Sequence, residues 1–183
     1  DRRITVNREN ELGARAVAVP GALAGWCTLL ARYGSVSLTD AIEHAIRLAE
    51  RGFRVTPYLA TNIAEQAGAL ARDPALARLF LPAGQPLSAG SLLQQPECAA
   101  TLRTIAQQGP AALYEGAIGA ALIAALTRTG GVMTRDDLAR YTVRDRAPIV
   151  GRYRDHDIIG PPPPASSGIH IVQMLNLLET FDL

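Results

Sequence analysis

The sequence predicts a mostly α-helical chain with one short β-hairpin near its C-terminal end. Alanine and leucine recur throughout its 183 residues, and aromatic residues make up only 5%, which favours helix over a strand-rich sandwich. Glycine and proline interrupt the sequence at intervals that suit a series of short helices. After residue 142 the apolar pattern changes from helical spacing to alternation. The length and the mass of 19.4 kDa favour a single unit, 1–183.

Helical spacing and stop signals predict the elements of a helical region over residues 20–141. Thr134 followed by Asp137 is similar to a capping box, and Asp73-Pro74 interrupts the helical pattern because a residue before proline avoids the helical conformation. The stretch Leu81–Gly90 holds two prolines and two glycines, which predicts a surface loop. The predicted helices are Ala22–Arg32, a helix capped by Ser37 or Thr39 and ended by Gly52, Tyr58–Arg72, a short one that can resume at Ala75, Pro96–Gln108, Gly116–Thr129 and Asp136–Tyr141.

The C-terminal part of the chain predicts a hairpin, a proline-rich turn and a last helix. Alternating or β-branched residues over Val143–Tyr153 and His156–Ile159 flank Arg154-Asp155, which predicts a hairpin within 143–160. Four successive prolines follow and predict a stiff, extended connection over 161–165. Ser166 or Ser167 can cap a final helix over 167–181.

Charge and hydropathy exclude two classes of partner. The 18 basic and 17 acidic residues are interspersed and give a net charge of +1, so the sequence lacks the basic patch that binds nucleic acid. The most apolar stretch, Gly116–Leu126, is shorter than the roughly 20 residues that span a bilayer. The polar stretch Asp1–Glu11 does not have the pattern of a signal peptide.

The histidines and serines carry weak signals for chemistry. Ser167 and His170 share a helical face and could form a nucleophile and base, although a capping serine is occupied with backbone amides and no third group orients the histidine. His44 and His156 have no second ligand at metal spacing, so we predict no metal site and no cofactor. Gly130-Gly131 lacks the sequence context of a phosphate cradle.

Charged residues and cysteines also favour structural roles. Asp136 and Asp137 are adjacent and point to different sides of a helix, which favours capping over paired acid–base catalysis. The cysteines Cys27 and Cys98 are expected to be buried or half-buried thiols. Arginines around the hairpin could bind a carboxylate or protect a strand edge: Arg144, Arg146, Arg152 and Arg154.

An ordered series of short motifs from about Val17 to the end of the chain resembles the gamma-glutamyltransferase family, also called gamma-glutamyltranspeptidase. The first half of the series is Val19-Pro20-Gly21, Ala24-Gly25-Trp26, Tyr33-Gly34, Ala45–Glu50, Gly52-Phe53 and Gln95-Pro96. The second half is Gly109-Pro110, Tyr114, Gly116, Gly130-Gly131, Thr134, Asp137-Leu138, Tyr141, Pro148, Gly151, Tyr153-Arg154, the proline run, Gly168-Ile169-His170 and Gln173–Asn176. Each motif alone is common, and their order carries the resemblance.

The resemblance implies an N-terminal nucleophile hydrolase with an αββα sandwich, of which this chain is an internal segment of the large subunit. In such an enzyme the precursor cleaves itself, and a newly exposed threonine attacks a gamma-glutamyl amide, with its own α-amine as the base. That threonine lies outside these residues, so no catalytic residue is assigned here, and the substrate-binding residues are unknown. An arginine that holds the substrate's α-carboxylate belongs to a glycine-rich context that Arg2 and Arg3 lack.

The resemblance also implies partners, a location and alternatives. The partners are the remainder of the large subunit, the small catalytic subunit and a small gamma-glutamyl substrate such as glutathione. The resemblance to the family implies a location in the periplasm, at the cell surface or outside the cell. The alternatives are an acylase acting on cephalosporin side chains or poly-gamma-glutamate, and a non-catalytic helical interaction module. One departure is Ser167, which replaces a glycine of the family's proline-rich turn and would be strained at a positive φ.

Overall fold

The computed structural model describes residues 9–182, and internal contacts divide the chain into two compact units that meet between Thr142 and Val143. Short helices and one small sheet build the first unit, and a β-hairpin with one helix builds the second. The predicted fold class, mostly α with a hairpin, is therefore confirmed for the described residues. In chain order the elements are α1 (Ala22–Tyr33), α2 (Leu38–Arg51), β1 (Phe53–Arg54), α3 (Pro57–Glu65), α4 (Ala67–Leu70), α5 (Pro74–Phe80), β2 (Leu92–Leu93), α6 (Pro96–Gln108), α7 (Ala111–Tyr114), α8 (Ala117–Arg128), α9 (Arg135–Ala139), β3 (Ile149–Tyr153), β4 (His156–Gly160) and α10 (Ser167–Leu178).

Helix α2 shows how local sequence sets an element's ends. The Ser37 hydroxyl accepts a hydrogen bond from the Asp40 backbone N–H at 3.1 Å, and the Asp40 carboxylate accepts from the Ser37 backbone N–H in return. Gly52 ends the helix at a φ of 82°, which costs glycine little. Of the two proposed caps, Ser37 is therefore the cap, while the Thr39 hydroxyl donates to the Ala106 carbonyl of α6 at 3.2 Å. That hydrogen bond fixes α2 against α6.

The predicted continuous helix over 58–72 is broken at Gln66. Its backbone leaves the helical region at φ −96° and ψ 6°, so α3 ends and the single turn α4 begins on the other side. Asp73 then caps α5, because its carboxylate accepts from the Ala75 and Leu76 backbone N–H groups at 2.8 and 3.0 Å. A continuous apolar pattern through residue 70 gave no sign of the break.

A two-stranded antiparallel sheet, which the sequence did not predict, joins α2 to α6. Phe53 of β1 pairs with Leu93 of β2, and the Val55 N–H extends the pairing to the Ser91 carbonyl at 2.8 Å. The loop predicted over 81–90 is present and includes a 3₁₀ turn over Pro82–Gly84. Several apolar residues of this part of the first unit are buried: Ile46, Val55, Ile63, Leu81, Leu93 and Ala99.

Helices α7, α8 and α9 enclose the other apolar centre of the first unit. The stretch Ala111–Arg128 is apolar and long enough to cross a membrane by length and composition alone. It is interrupted between α7 and α8, where Gly116 begins the second helix in an extended conformation. Its side chains supply much of a buried cluster, so we interpret it as a pair of core helices. The cluster is Leu113, Tyr114, Leu126, Met133 and Leu138.

In the second unit, β3 and β4 pair with Val150 opposite Ile159, and α10 covers one face of the hairpin. The helix can approach closely because residue 151 is glycine. A Cβ at this position would lie 2.4 Å from the Val172 side chain. The hairpin is shorter than predicted, since 143–148 is irregular and Pro148 has no N–H for a ladder.

The proline-rich turn and the start of α10 differ from the prediction. Pro163-Pro164 is a cis bond within a turn rather than part of a uniformly extended run, and the Ala165 N–H donates to the Pro162 carbonyl at 3.2 Å. Neither serine caps α10 through its side chain, since Ser166 takes the cap position without such a hydrogen bond. Ser167 lies outside the positive-φ region, so the strain considered for it is absent.

Gly119 provides a test of the packing of α7 on α8. A Cβ at this position would lie 2.0 Å from the Leu113 backbone carbonyl oxygen, which cannot move aside as a side chain would. We expect Gly119→Ala to lower the free energy of unfolding by about 1–3 kcal/mol. Thermal unfolding of the full-length protein measures the effect. Gly68→Ala is the matched control, because Gly68 is exposed in α4 with open space around it, and an unchanged midpoint for Gly119→Ala would contradict this packing.

Candidate functional site

Ser167 and His170 do not form a nucleophile–base pair in the described residues. Both side chains are exposed in the first turn of α10, and no hydrogen bond joins them in the part of the chain that the structure describes. The backbone N–H of His170 donates to the Ser166 carbonyl at 3.0 Å, which is ordinary helix pairing. A serine without a base in contact is a poor nucleophile.

The other two histidines lie in separate exposed places. His44 Nδ1 lies 2.9 Å from the Arg47 guanidinium on α2, and His156 begins β4. Across residues 9–182, no group of three or more His, Cys, Asp or Glu side chains is arranged to hold a metal ion. Gly130, at a φ of 82°, and Gly131, whose N–H donates to the Leu126 carbonyl at 2.7 Å, end α8.

Asp136 and Asp137 support α9 rather than each other. Asp137 completes a capping box, in which its carboxylate accepts from the Thr134 hydroxyl at 2.7 Å and from the Thr134 N–H at 2.8 Å. These two hydrogen bonds hold the pKa of Asp137 below its usual range. Asp136 faces Arg140 at 3.9 Å in solvent. The capping interpretation is therefore confirmed for Asp137.

The hairpin arginines are exposed, and two of them contact the hairpin itself. Arg152 Nε donates to the Arg154 carbonyl at 3.1 Å, and the Arg154 guanidinium lies over the Tyr153 ring at 5.2 Å. A role for this cluster, with Arg144 and Arg146, in carboxylate binding stays a prediction. Arg2 and Arg3 lie outside the described residues.

The cysteines are separate free thiols. Cys27 is half-buried in α1, and burial raises the pKa of its thiol, which keeps it protonated and a weak nucleophile. Cys98 is exposed in α6, so the prediction of burial was wrong for this residue. The next residue, Ala99, is buried, so Cys98 lies on the solvent side of α6.

Tyr114 is the polar centre of the first unit. Its hydroxyl donates to the Pro20 carbonyl at 2.6 Å and accepts from the Ala24 N–H at 3.2 Å, so one buried group holds the start of α1. The Tyr141 ring stacks on the Tyr114 ring with centroids 5.7 Å apart. Burial raises the pKa of Tyr114, which keeps the hydroxyl a donor at neutral pH.

An apolar groove of about 670 Å³ lies between α1, α2 and α6; we call it the α1 groove. Trp26 and Tyr33 supply the polar side-chain groups of its twelve lining residues, and the other ten are apolar or glycine. The volume is within the range of small-molecule sites, but those sites usually carry a few placed polar groups, whereas this lining carries the indole N–H and one hydroxyl. The groove has the chemistry of a packing surface. Six residues define it: Leu23, Trp26, Leu29, Tyr33, Ile42 and Ile105.

The second unit also has an open apolar face. Val150 and Ile159 are opposite each other on the hairpin and both are exposed, while residues at alternate positions face α10. Met174 and Leu177 are exposed on α10 itself. Soluble proteins rarely leave contiguous apolar surface in water, so such faces mark sites of contact. Sequence periodicity could identify α10 as apolar, but it could not show which side lacked a partner.

The fold and these surfaces are typical of a segment that packs inside a larger protein. The sequence model of the Gamma-glutamyltranspeptidase family matches residues 3–183, and the chain belongs to that family. The chain is 54% identical over 181 residues to the acylase ACY 1 proenzyme of Pseudomonas sp. (strain SE83), covering 99% of this chain and 32% of that protein. It is 37% identical over 169 residues to the glutathione hydrolase proenzyme of Escherichia coli (strain K12), covering 92% and 29%.

A solved structure supports the same relationship. The crystal structure of Helicobacter pylori gamma-glutamyltranspeptidase matches 98% of this chain with a TM-score of 0.94 and 33% sequence identity, over 52% of that chain. The chain therefore spans about a third of the length of these curated relatives and about half of the solved chain. The family named from the sequence resemblance is confirmed.

Removing the Tyr114 hydroxyl tests its role in holding α1. We expect Tyr114→Phe to lower the free energy of unfolding by about 1–3 kcal/mol, because the Pro20 carbonyl and the Ala24 N–H both lose a buried partner. Denaturant unfolding of the full-length protein measures the change. Tyr58→Phe is the control, since Tyr58 is 81% exposed and its loss of a hydroxyl should change little. Equal stability of the two variants would contradict the role.

The raised pKa of Tyr114 gives a pH-dependent prediction. Because the folded-state pKa lies above the unfolded value of about 10, the protonated hydroxyl stabilises the fold fully below that pH. The contribution is lost as the pH rises through the folded pKa. The stability difference between the wild-type protein and Tyr114→Phe should therefore shrink at alkaline pH. A difference that stays constant or grows from pH 8 to about pH 11 would refute the assignment.

Proposed function

We propose that this chain is an internal segment of the large subunit of an autoprocessing amidohydrolase that transfers or hydrolyses gamma-glutamyl groups. The observation that carries the proposal is the structural match to the Helicobacter pylori gamma-glutamyltranspeptidase over 98% of the chain at a TM-score of 0.94. In the full-length protein, a precursor cleaves itself, and the threonine exposed at the start of the small subunit is the nucleophile. This threonine lies outside the segment.

The segment's own task in this enzyme is structural. Its amphipathic helices and the hairpin contribute to an αββα sandwich whose other strands come from the rest of the protein. Its partners are the remainder of the large subunit, the small subunit and a small gamma-glutamyl substrate. Two of the relatives are proenzymes, which supports a precursor that is processed. For location we propose the periplasm, the cell surface or the exterior of the cell.

A second candidate function is that of an acylase, which cleaves a different acyl amide with the same threonine chemistry. The observation that favours it is the 54% identity to an acylase proenzyme, against 37% to the glutathione hydrolase proenzyme. The substrates to consider are cephalosporin side chains and poly-gamma-glutamate. Both candidates share self-cleavage and a threonine acyl-enzyme, so they differ in the acyl pocket rather than in the mechanism.

Expression of the full-length protein separates these candidates. We expect cleavage into two chains and release of the chromophore from a gamma-glutamyl anilide, with both lost when the threonine at the cleavage site is replaced by alanine. A cephalosporin bearing an acyl side chain, assayed in parallel, measures the acylase activity. Turnover of the cephalosporin without turnover of the gamma-glutamyl anilide would favour the acylase. A protein that neither cleaves itself nor turns over either amide would refute both and favour an interaction module.

A further inference from the structure

The α1 groove exposes one face of α1. Trp26, Leu29 and Tyr33 are 66%, 58% and 79% exposed, at positions i, i+3 and i+7, which lie along one side of a helix. On the opposite side of the same helix Ala24 packs against the buried cluster around Tyr114, and Leu23 contacts both that cluster and the groove. A helix that is apolar on both sides is built to be covered on both sides.

Polar contacts hold the two walls of the α1 groove separately. The Tyr114 hydroxyl fixes the start of α1 through Pro20 and Ala24. On the opposite wall, Glu50 of α2 forms an ion pair with Arg103 of α6, and Thr39 hydrogen-bonds to α6. One wall, α1, is thus fixed to the buried cluster, and the other wall, α2 with α6, is held together by its own contacts.

The occupant follows from the length of the family's chains. The Helicobacter pylori chain keeps this fold at a TM-score of 0.94 while being about twice as long, so nearly half of it must be accommodated around the matched part. The two curated proenzymes have about two thirds of their length outside the match. An apolar lining with only the Trp26 indole N–H and the Tyr33 hydroxyl suits an apolar segment that offers a backbone carbonyl to the indole.

We infer that an apolar segment of the same polypeptide, from outside residues 1–183, fills the α1 groove in the full-length protein and covers Trp26, Leu29 and Tyr33. The inference rests on the proposed function in one respect, namely that the chain is part of a longer subunit. A free small molecule and a second copy of the protein are the competing occupants.

Thiol labelling of the full-length protein tests this inference. Leu29→Cys is made in a background of Cys27→Ala and Cys98→Ser, and the maleimide labelling rate at residue 29 is followed by peptide mass spectrometry, native and in urea. We expect native labelling to be slower by about 100-fold or more, because the site opens only by local unfolding. If Leu29→Cys fails to fold, Tyr33→Cys repeats the test at a second exposed position of the groove.

The controls separate the occupants. Glu65→Cys, at an exposed position of α3, calibrates the rate of an open site. Labelling of residue 29 at that open-site rate would overturn the inference, as would protection lost on gel filtration, which removes a small molecule. Protection that disappears on dilution to the monomer would assign the groove to a second copy and also overturn it. Self-cleavage and amide turnover are measured separately, so failure of the proposed activity leaves this result interpretable.

Discussion

The organisation of the first unit depends on the two hydrogen bonds of the Tyr114 hydroxyl. They fix Pro20 and Ala24 to the buried cluster, and this sets where α1 leaves the core. Ala24 packs inward, while Trp26, Leu29 and Tyr33 lie on the other side of α1 and are exposed. The position of Tyr141, stacked on Tyr114, then leaves no room for a side chain at Gly21, since a Cβ there would lie 2.0 Å from the Tyr141 hydroxyl. The Tyr114 hydroxyl therefore fixes the helix whose inner side joins the buried cluster and whose outer side lines the α1 groove.

Surface ion pairs do little to stabilise the first unit. The pairs of Arg47 with Glu43 and of Arg78 with Glu97 are exposed and contribute about 0–1 kcal/mol each. Stability must come from apolar burial, yet many large apolar side chains of both units face solvent. A domain of this size normally buries more of its apolar surface. The balance favours a segment whose fold is completed by the rest of its polypeptide.

The sequence predicted those elements whose ends have a local chemical cause. Ser37 with Asp40, Pro96 with Gly109, and Thr134 with Asp137 define helices within one or two residues of the structure. The sequence did not predict the pairing of β1 with β2. A two-residue strand is too short to show an alternating apolar pattern, and the two strands lie about 40 residues apart. The α1 groove was equally inaccessible, because its walls come from helices distant in sequence. Nothing local in the sequence indicated that Tyr141 stacks on Tyr114, since an isolated tyrosine does not reveal its partner.

The similarity to an acylase proenzyme concerns packing more directly than substrate choice. An enzyme chooses its acyl group through the side chains that touch it, whereas the surfaces described here are apolar faces between helices and on a hairpin. Residues that pack against a common partner must match that partner's shape to within a methylene group. The 54% identity to the acylase proenzyme therefore concerns the residues of this segment and does not by itself identify the acyl group. The acyl pocket can differ between two enzymes that share this segment, because the groove and the pocket obey separate constraints.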